Sequence, residues 1–266
     1  MNTSWQKKVS DYCDKYCIPL LYLADTMYEP KVIPMIRGKA FEFSVMTRLQ
    51  KILPKDKWLV DKPVMNAQTG LHDIDVRVVH KATNKTIRIE CKLAKKGSYK
   101  PLKDGVSQIL VKCMRSRTLG GSKVIELAPK LRVKPAVLTI HNDQYLPSDF
   151  DVVITSIGNA FYGTDDKSGI FEWEPSKEGV NFLRHFKGAS RQELKDVAFN
   201  QMYVARSKDI VVSSSSDVSC TRKECRNKEA CGFIPNYPAI LFDKQNNPVK
   251  NWVALENVET VFESLL

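Results

Sequence analysis

Asp75, Glu90 and Lys92 fall on two neighbouring apolar runs of the stretch GLHDIDVRVVHKATNKTIRIECKLAKK, residues 70–96. Side chains alternate across a strand. A hairpin with strands near residues 74–79 and 86–93 and a turn at KATNK therefore sends Ile87, Ile89 and Cys91 to one face. Arg88, Glu90 and Lys92 take the other. On the first run Ile74, Val76 and Val78 share a face, and Asp73, Asp75 and Arg77 share the opposite one. Antiparallel pairing then brings Asp75 beside Glu90 and Lys92. Two carboxylates at close range repel unless a cation joins them. Hard oxygen donors of this kind suit Mg²⁺, which also accepts phosphate oxygens. A lysine beside such an ion can hold an attacking water or help deprotonate it. The plain alternative is a solvated Glu/Arg/Lys ladder on a surface hairpin. Against it stand the apolar Ile-x-Ile-x-Cys face, which anchors the strand in a core, and a run of basic residues that begins at Lys92 itself.

The elements that must hold this hairpin read as follows. Trp5, Val9, Tyr12, Cys13 and Tyr16 recur at helical spacing over residues 4–16. Phe41, Val45, Leu49 and Ile52 form one stripe of a helix over residues 37–52, closed by Leu53-Pro54. LKDGVSQILVKCMRSR reads as a helix through Val106, Ile109, Leu110 and Cys113. KPAVLTI and FDVVITSIG are short apolar runs that suit buried strands. PSKEGVNFLRHF and SRQELKDVAFNQMYVARS look helical, the second opening with the capping-box pattern Ser190-x-x-Glu193. AILFDKQNNPVKNWVAL reads as a hairpin, with a short closing helix after it. The mixture predicts an α/β fold, a mixed β-sheet flanked by helices. One domain spans residues 1–266, with a core over 37–157 and a helix-rich C-terminal part over 158–266 that contains a Cys-rich loop at 214–236.

The chain of 266 residues carries a net charge of +11. Between Lys92 and Lys134 twelve lysines and arginines face only Asp104 and Glu126, so this segment supplies +10 and the rest is nearly neutral. Lys95, Lys96, Lys100, Lys103, Lys112, Arg115, Arg117 and Lys123 lie on it. A field this concentrated suits a polyanion, whose counterions are released on binding. No run approaches the about 18 apolar residues of a membrane span, and the start MNTSWQKKVSDYCDKY is too polar for a secretory signal. The expectation is a cytoplasmic protein that does not engage a membrane.

Asp75 followed by Glu90-Cys91-Lys92 resembles the PD-(D/E)XK nuclease signature. His72-Asp73-Ile74-Asp75 stands in place of the Pro-Asp opening, which leaves Asp73 as an alternative first ligand to Asp75. RGKAFEFSVMTRL is similar to the family's leading helix, whose acid, here Glu42, supports the metal. DGVSQIL is similar to the helix that follows the signature, where Gln108 would lie near the site. The resemblance, over residues 37–110, implies a restriction-endonuclease-like core. It also implies Mg²⁺ held by Asp75 and Glu90, and hydrolysis of double-stranded DNA to 5′-phosphate and 3′-hydroxyl ends. By length the chain looks most like a type II restriction endonuclease, with room for base contacts and a homodimer surface in its C-terminal half. Arg115, Arg117, Lys123, Asn142, Gln144, Asn159, Arg184 and His185 have the chemistry to read bases. A structure-selective or repair nuclease of the same superfamily, and a non-catalytic DNA-binding module, are the alternatives.

Cys220-x4-Cys225-x5-Cys231 lies in a polar, basic stretch where apolar packing does not account for three thiols. Soft thiolates clustered this way suit Zn²⁺ or an iron–sulfur cluster. The fourth ligand is open between Cys13, Cys17 and His185. The Cys-x5-Cys-Gly-Phe end resembles the iron–sulfur nucleases of the superfamily, where an N-terminal cysteine joins three C-terminal ones; a first gap of four residues departs from their pattern. Cys91 and Cys113 read as core thiols.

Overall fold

The computed structural model describes residues 4–63, 74–186 and 190–266. Three helices come first: α1 (Trp5–Lys15), capped by the Ser4 hydroxyl, α2 (Leu20–Tyr28) and α3 (Ile33–Ile52). The chain then forms β1 (Trp58–Asp61), β2 (Val76–His80), β3 (Lys85–Cys91), β4 (Lys100–Pro101) and β5 (Ser107–Leu110). Two helices follow, α4 (Gly121–Lys130) and α5 (Pro135–Ile140), then β6 (Val152–Ser156), β7 (Tyr162–Thr164) and β8 (Phe171–Trp173). After α6 (Lys177–Arg184) and α7 (Arg191–Asn200) come β9 (Met202–Arg206), β10 (Ala239–Phe242), β11 (Pro248–Val249), β12 (Val253–Ala254) and α8 (Val258–Glu263).

These make a mixed α/β fold. The main sheet has six strands in the order β1-β2-β3-β6-β9-β12. Its β3–β6 pair is parallel and the others antiparallel. Residues 202–206 and 253–254 complete this sheet, so the C-terminal part is built into the core rather than being the helix-rich portion the sequence suggested. A second sheet, β11-β10-β5-β4, is antiparallel throughout.

Strand alternation splits the core in two. Val76, Val78, Ile87, Ile89, Val152, Ile154 and Val204 meet Phe41, Val45 and Leu49 of α3 and Phe262 of α8 on one face. Val153, Tyr203 and Ala205 face the other way, against Ile109, Tyr145, Phe150, Phe161 and Phe242. Burial on both faces fixes the register, since a one-residue slip would carry every side chain to the opposite face and mismatch both clusters.

Three expectations are corrected. DGVSQIL is a turn and a strand, not a helix. Asp104 and Gly105 take positive φ (58° and 72°), the backbone bends there, and β5 runs between β4 and β10. KPAVLTI forms α5, with Pro135 in the first turn, where its missing N–H costs no hydrogen bond. The helix read across residues 190–207 stops at Asn200, and MYVAR enters the sheet as β9, buried on both faces. The Ser190–Glu193 capping box is present, with both reciprocal hydrogen bonds formed (3.1 and 2.7 Å).

Candidate functional site

The register of the hairpin sets the site. Val76 pairs with Ile89 and Arg77 with Arg88, so Asp75, one residue before β2, arrives opposite Glu90. Its Oδ2 accepts the Cys91 backbone N–H at 2.9 Å. The Lys92 N–H donates to the Ile154 carbonyl at 2.9 Å, which carries the parallel ladder one residue past β3. Glu90 and Lys92 therefore stand on one face of a fixed strand, and Lys92 Nζ lies 2.7 Å from Glu90 Oε1. The Tyr145 hydroxyl donates to the same oxygen at 2.8 Å. The two arginines of the hairpin have acids of their own: Arg77 forks onto Asp61 and Arg88 onto Asp151. A Glu/Arg/Lys surface ladder is thus not what the hairpin makes.

Glu42, Asp75 and Glu90 are all buried, at 6%, 8% and 7% exposure. Glu42 sits on α3, one residue from the buried stripe, and pairs with Lys39 at 2.8 Å and with Lys62. Lys62 also donates to the Asp75 carbonyl at 3.2 Å. Among the described residues no ammonium lies at hydrogen-bond range of the Asp75 carboxyl. Burial first, then the charges of Glu90 and Glu42, push it up to about 7, against the opposing pull of the Cys91 N–H and of Lys92. Burial also disfavours the Lys92 ammonium, but Glu90 and Tyr145 outweigh it and hold the lysine above its ordinary value. A carboxyl poised near neutrality beside a firmly protonated lysine and a second carboxylate is a donor set that a hard divalent cation would suit. Asp73 lies outside the described residues.

The remaining expected contacts scatter. Lys95, Lys100, Lys103, Lys112 and Arg117 are exposed. Lys95 lies over the Tyr237 ring and Lys96 over Phe171. Lys123 pairs with Glu126 on α4. Arg115 is taken up internally: it bonds Asp149 at 2.5 Å, donates to the Gln144 carbonyl at 3.0 Å and lies over the Tyr145 ring. Gln108 is on β5 opposite Lys100 and Leu241, in the second sheet, because the helix expected to carry it is absent. Gln144 is buried and Asn159 donates to the Ala94 carbonyl, so neither side chain is offered to a base. Two concavities, of about 320 Å³ near Phe43 and Arg48 and about 210 Å³ near Gln108 and Trp252, contain none of Asp75, Glu90 and Lys92. Lys62 and Tyr145 were not foreseen; no local pattern marks a residue whose role comes from a distant strand.

A second cluster is sharper in geometry. Donor atoms of His141, Cys220, Cys225 and Cys231 all lie within 4.8 Å of one another, and among the described residues this is where three or more such donors converge. The three thiols are the expected ones. The fourth partner is His141, not Cys13, Cys17 or His185: Cys13 is buried in α1 and Cys17 is exposed. Burial and the neighbouring sulfurs hold the Cys231 thiol up at about 12. Cys91 and Cys113 are buried core thiols, as read.

The fold and these sites define a mixed α/β protein with a buried Asp/Glu/Lys constellation on its central hairpin and a His/Cys3 cluster that could bind a metal such as zinc. Among the described residues no helix is long and apolar enough to cross a membrane. The chain matches no protein-family model, no curated protein and no solved structure.

Proposed function

We propose that the protein is a Mg²⁺-dependent endodeoxyribonuclease, acting on double-stranded DNA as a type II restriction endonuclease does. The observation that carries the reading is the placement of Asp75: a buried carboxyl, opposite Glu90 on the paired strand, with the Lys92 ammonium 2.7 Å from Glu90. Asp75 and Glu90 would hold the cation, with Glu42 behind them. Mg²⁺ there would act as a Lewis acid toward water and offset charge on the scissile phosphate. Lys92, fixed by Glu90 and Tyr145, donates hydrogen bonds to the attacking water or a phosphate oxygen; kept protonated, it positions and does not abstract a proton. The exposed lysines that follow it, Lys95, Lys100, Lys103 and Lys112, supply contacts to the backbone.

Digestion of a long duplex with Mg²⁺, followed by sequencing of the ends, tests the reading. Discrete fragments with 5′-phosphate ends and a common flanking sequence are expected. Products that arise only at junctions or free ends would replace it with a structure-selective nuclease, and an intact duplex would leave a DNA-binding module.

A further inference from the structure

We infer that His141, Cys220, Cys225 and Cys231 form a closed, structural zinc centre, with His141 binding through Nε2. The geometry chooses a single ion. In a tetrahedral site with Zn–S near 2.3 Å the sulfurs stand about 3.8 Å apart, and all four donors here fall within 4.8 Å. A multi-iron cluster binds its cysteines on different irons and spreads them further.

The histidine is prepared for the role. Gln144 Nε2 donates to the Ile234 carbonyl at 2.9 Å, which fixes its amide and turns Oε1 toward His141. His141 Nδ1 lies 2.5 Å from that oxygen, so Nδ1 carries the proton and the lone pair is left on Nε2. This is the outer hydrogen bond that ligating histidines make. The ring is further held flat against Phe233, 4.3 Å between centroids. Val212, Val218 and Ile140 pack against the cysteines. Four protein donors leave no open position, which marks a structural rather than a catalytic ion.

The need for it is visible in the chain. Residues 210–238 contain neither helix nor strand, whereas loops beyond about 12–15 residues without structure of their own are uncommon in compact folds. One ion would tie this loop to the end of α5. It would also fix His141 four positions before Tyr145, the residue that donates to Glu90.

Elemental analysis of the purified full chain is the test. About one zinc per chain is expected, with no iron or acid-labile sulfide. Replacement by Co²⁺ should give the intense visible bands of tetrahedral thiolate coordination. Cys231→Ser should lose the ion, Cys17→Ser should keep it, and His141→Cys, which preserves four donors, should keep it. Should Cys231→Ser not fold, the cobalt spectrum of the unaltered protein decides alone. Folded protein with less than about a tenth of an equivalent of zinc, iron with sulfide, or the weak spectrum of six-coordinate cobalt would overturn the assignment.

Discussion

Asp75→Asn should make the protein more stable and leave it unable to cut DNA. The sign follows from the direction of the Asp75 shift. Its folded value, about 7, lies above the ordinary value of 3.8. The folded state therefore binds the proton more tightly than the unfolded chain does. Stability is lost as pH rises from the unfolded value, and the full loss is reached above the folded one. Integrated over that interval the penalty is at most about 4 kcal/mol at pH 8. An asparagine keeps an oxygen for the Cys91 N–H and carries no charge to bury beside Glu90 and Glu42. Without added Mg²⁺ at pH 8 the variant should melt higher by several degrees, on the order of 5 °C. The difference should shrink as pH falls and vanish below about pH 3, where the wild-type carboxyl is protonated in both states. Added Mg²⁺ should raise the melting temperature of the wild type and not of the variant, since only a ligand that binds the folded state stabilises it. Thermal melts across pH check this. An Asp75→Asn protein less stable than wild type at pH 8 would mean that the carboxylate is a structural acceptor and not a strained ligand.

Lys92→Met should reduce cleavage by roughly 10²- to 10⁴-fold, the range for losing a positioned donor or acid–base group. The ammonium is held by Glu90 at 2.7 Å within a largely buried site. On the proposed reading its loss removes the donor that meets the reacting groups, while the exposed lysines that would contact the backbone remain. Duplex binding without Mg²⁺ should therefore change by no more than about threefold, a loss of about one exposed phosphate contact's worth. Methionine is chosen because it keeps the stem packing against Tyr145, while alanine would add a cavity to the charge change. Breaking the pair leaves Glu90 with Tyr145 alone, and removal of one partner of a buried ion pair costs roughly 3–5 kcal/mol. Circular dichroism at the assay temperature separates unfolding from a loss of chemistry. Single-turnover cleavage at the wild-type rate would remove Lys92 from the mechanism.

What the sequence made legible follows from local periodicity. The hairpin was readable because β-branched residues alternate on both runs, and its antiparallel register alone puts Asp75 opposite Glu90. The α3 stripe and its end at Pro54 were readable for the same reason. Short segments failed where period cannot discriminate. PAVLTI has six residues, too few to separate strand from helix, though Pro135 at a first-turn position was a usable start signal. Asp104-Gly105 ahead of Ser-Gln-Ile-Leu was a turn signal outweighed by an apparent helical stripe. The thiols could be grouped because they lie close in sequence. His141, Tyr145 and Lys62 could not be found, because each owes its role to a tertiary contact with no local mark. The charge of the segment after Lys92 was legible as a sum but not as a surface: Arg115 contributes to the count and is spent on Asp149.

The most direct measurement is the conversion of supercoiled plasmid by the wild-type protein with and without added Mg²⁺, in buffer free of chelators. Nicked and linear DNA should form only with Mg²⁺, faster as pH rises through 7 and Asp75 gives up its proton. Equal cutting without the ion, or no cutting of any duplex with it, would contradict the account.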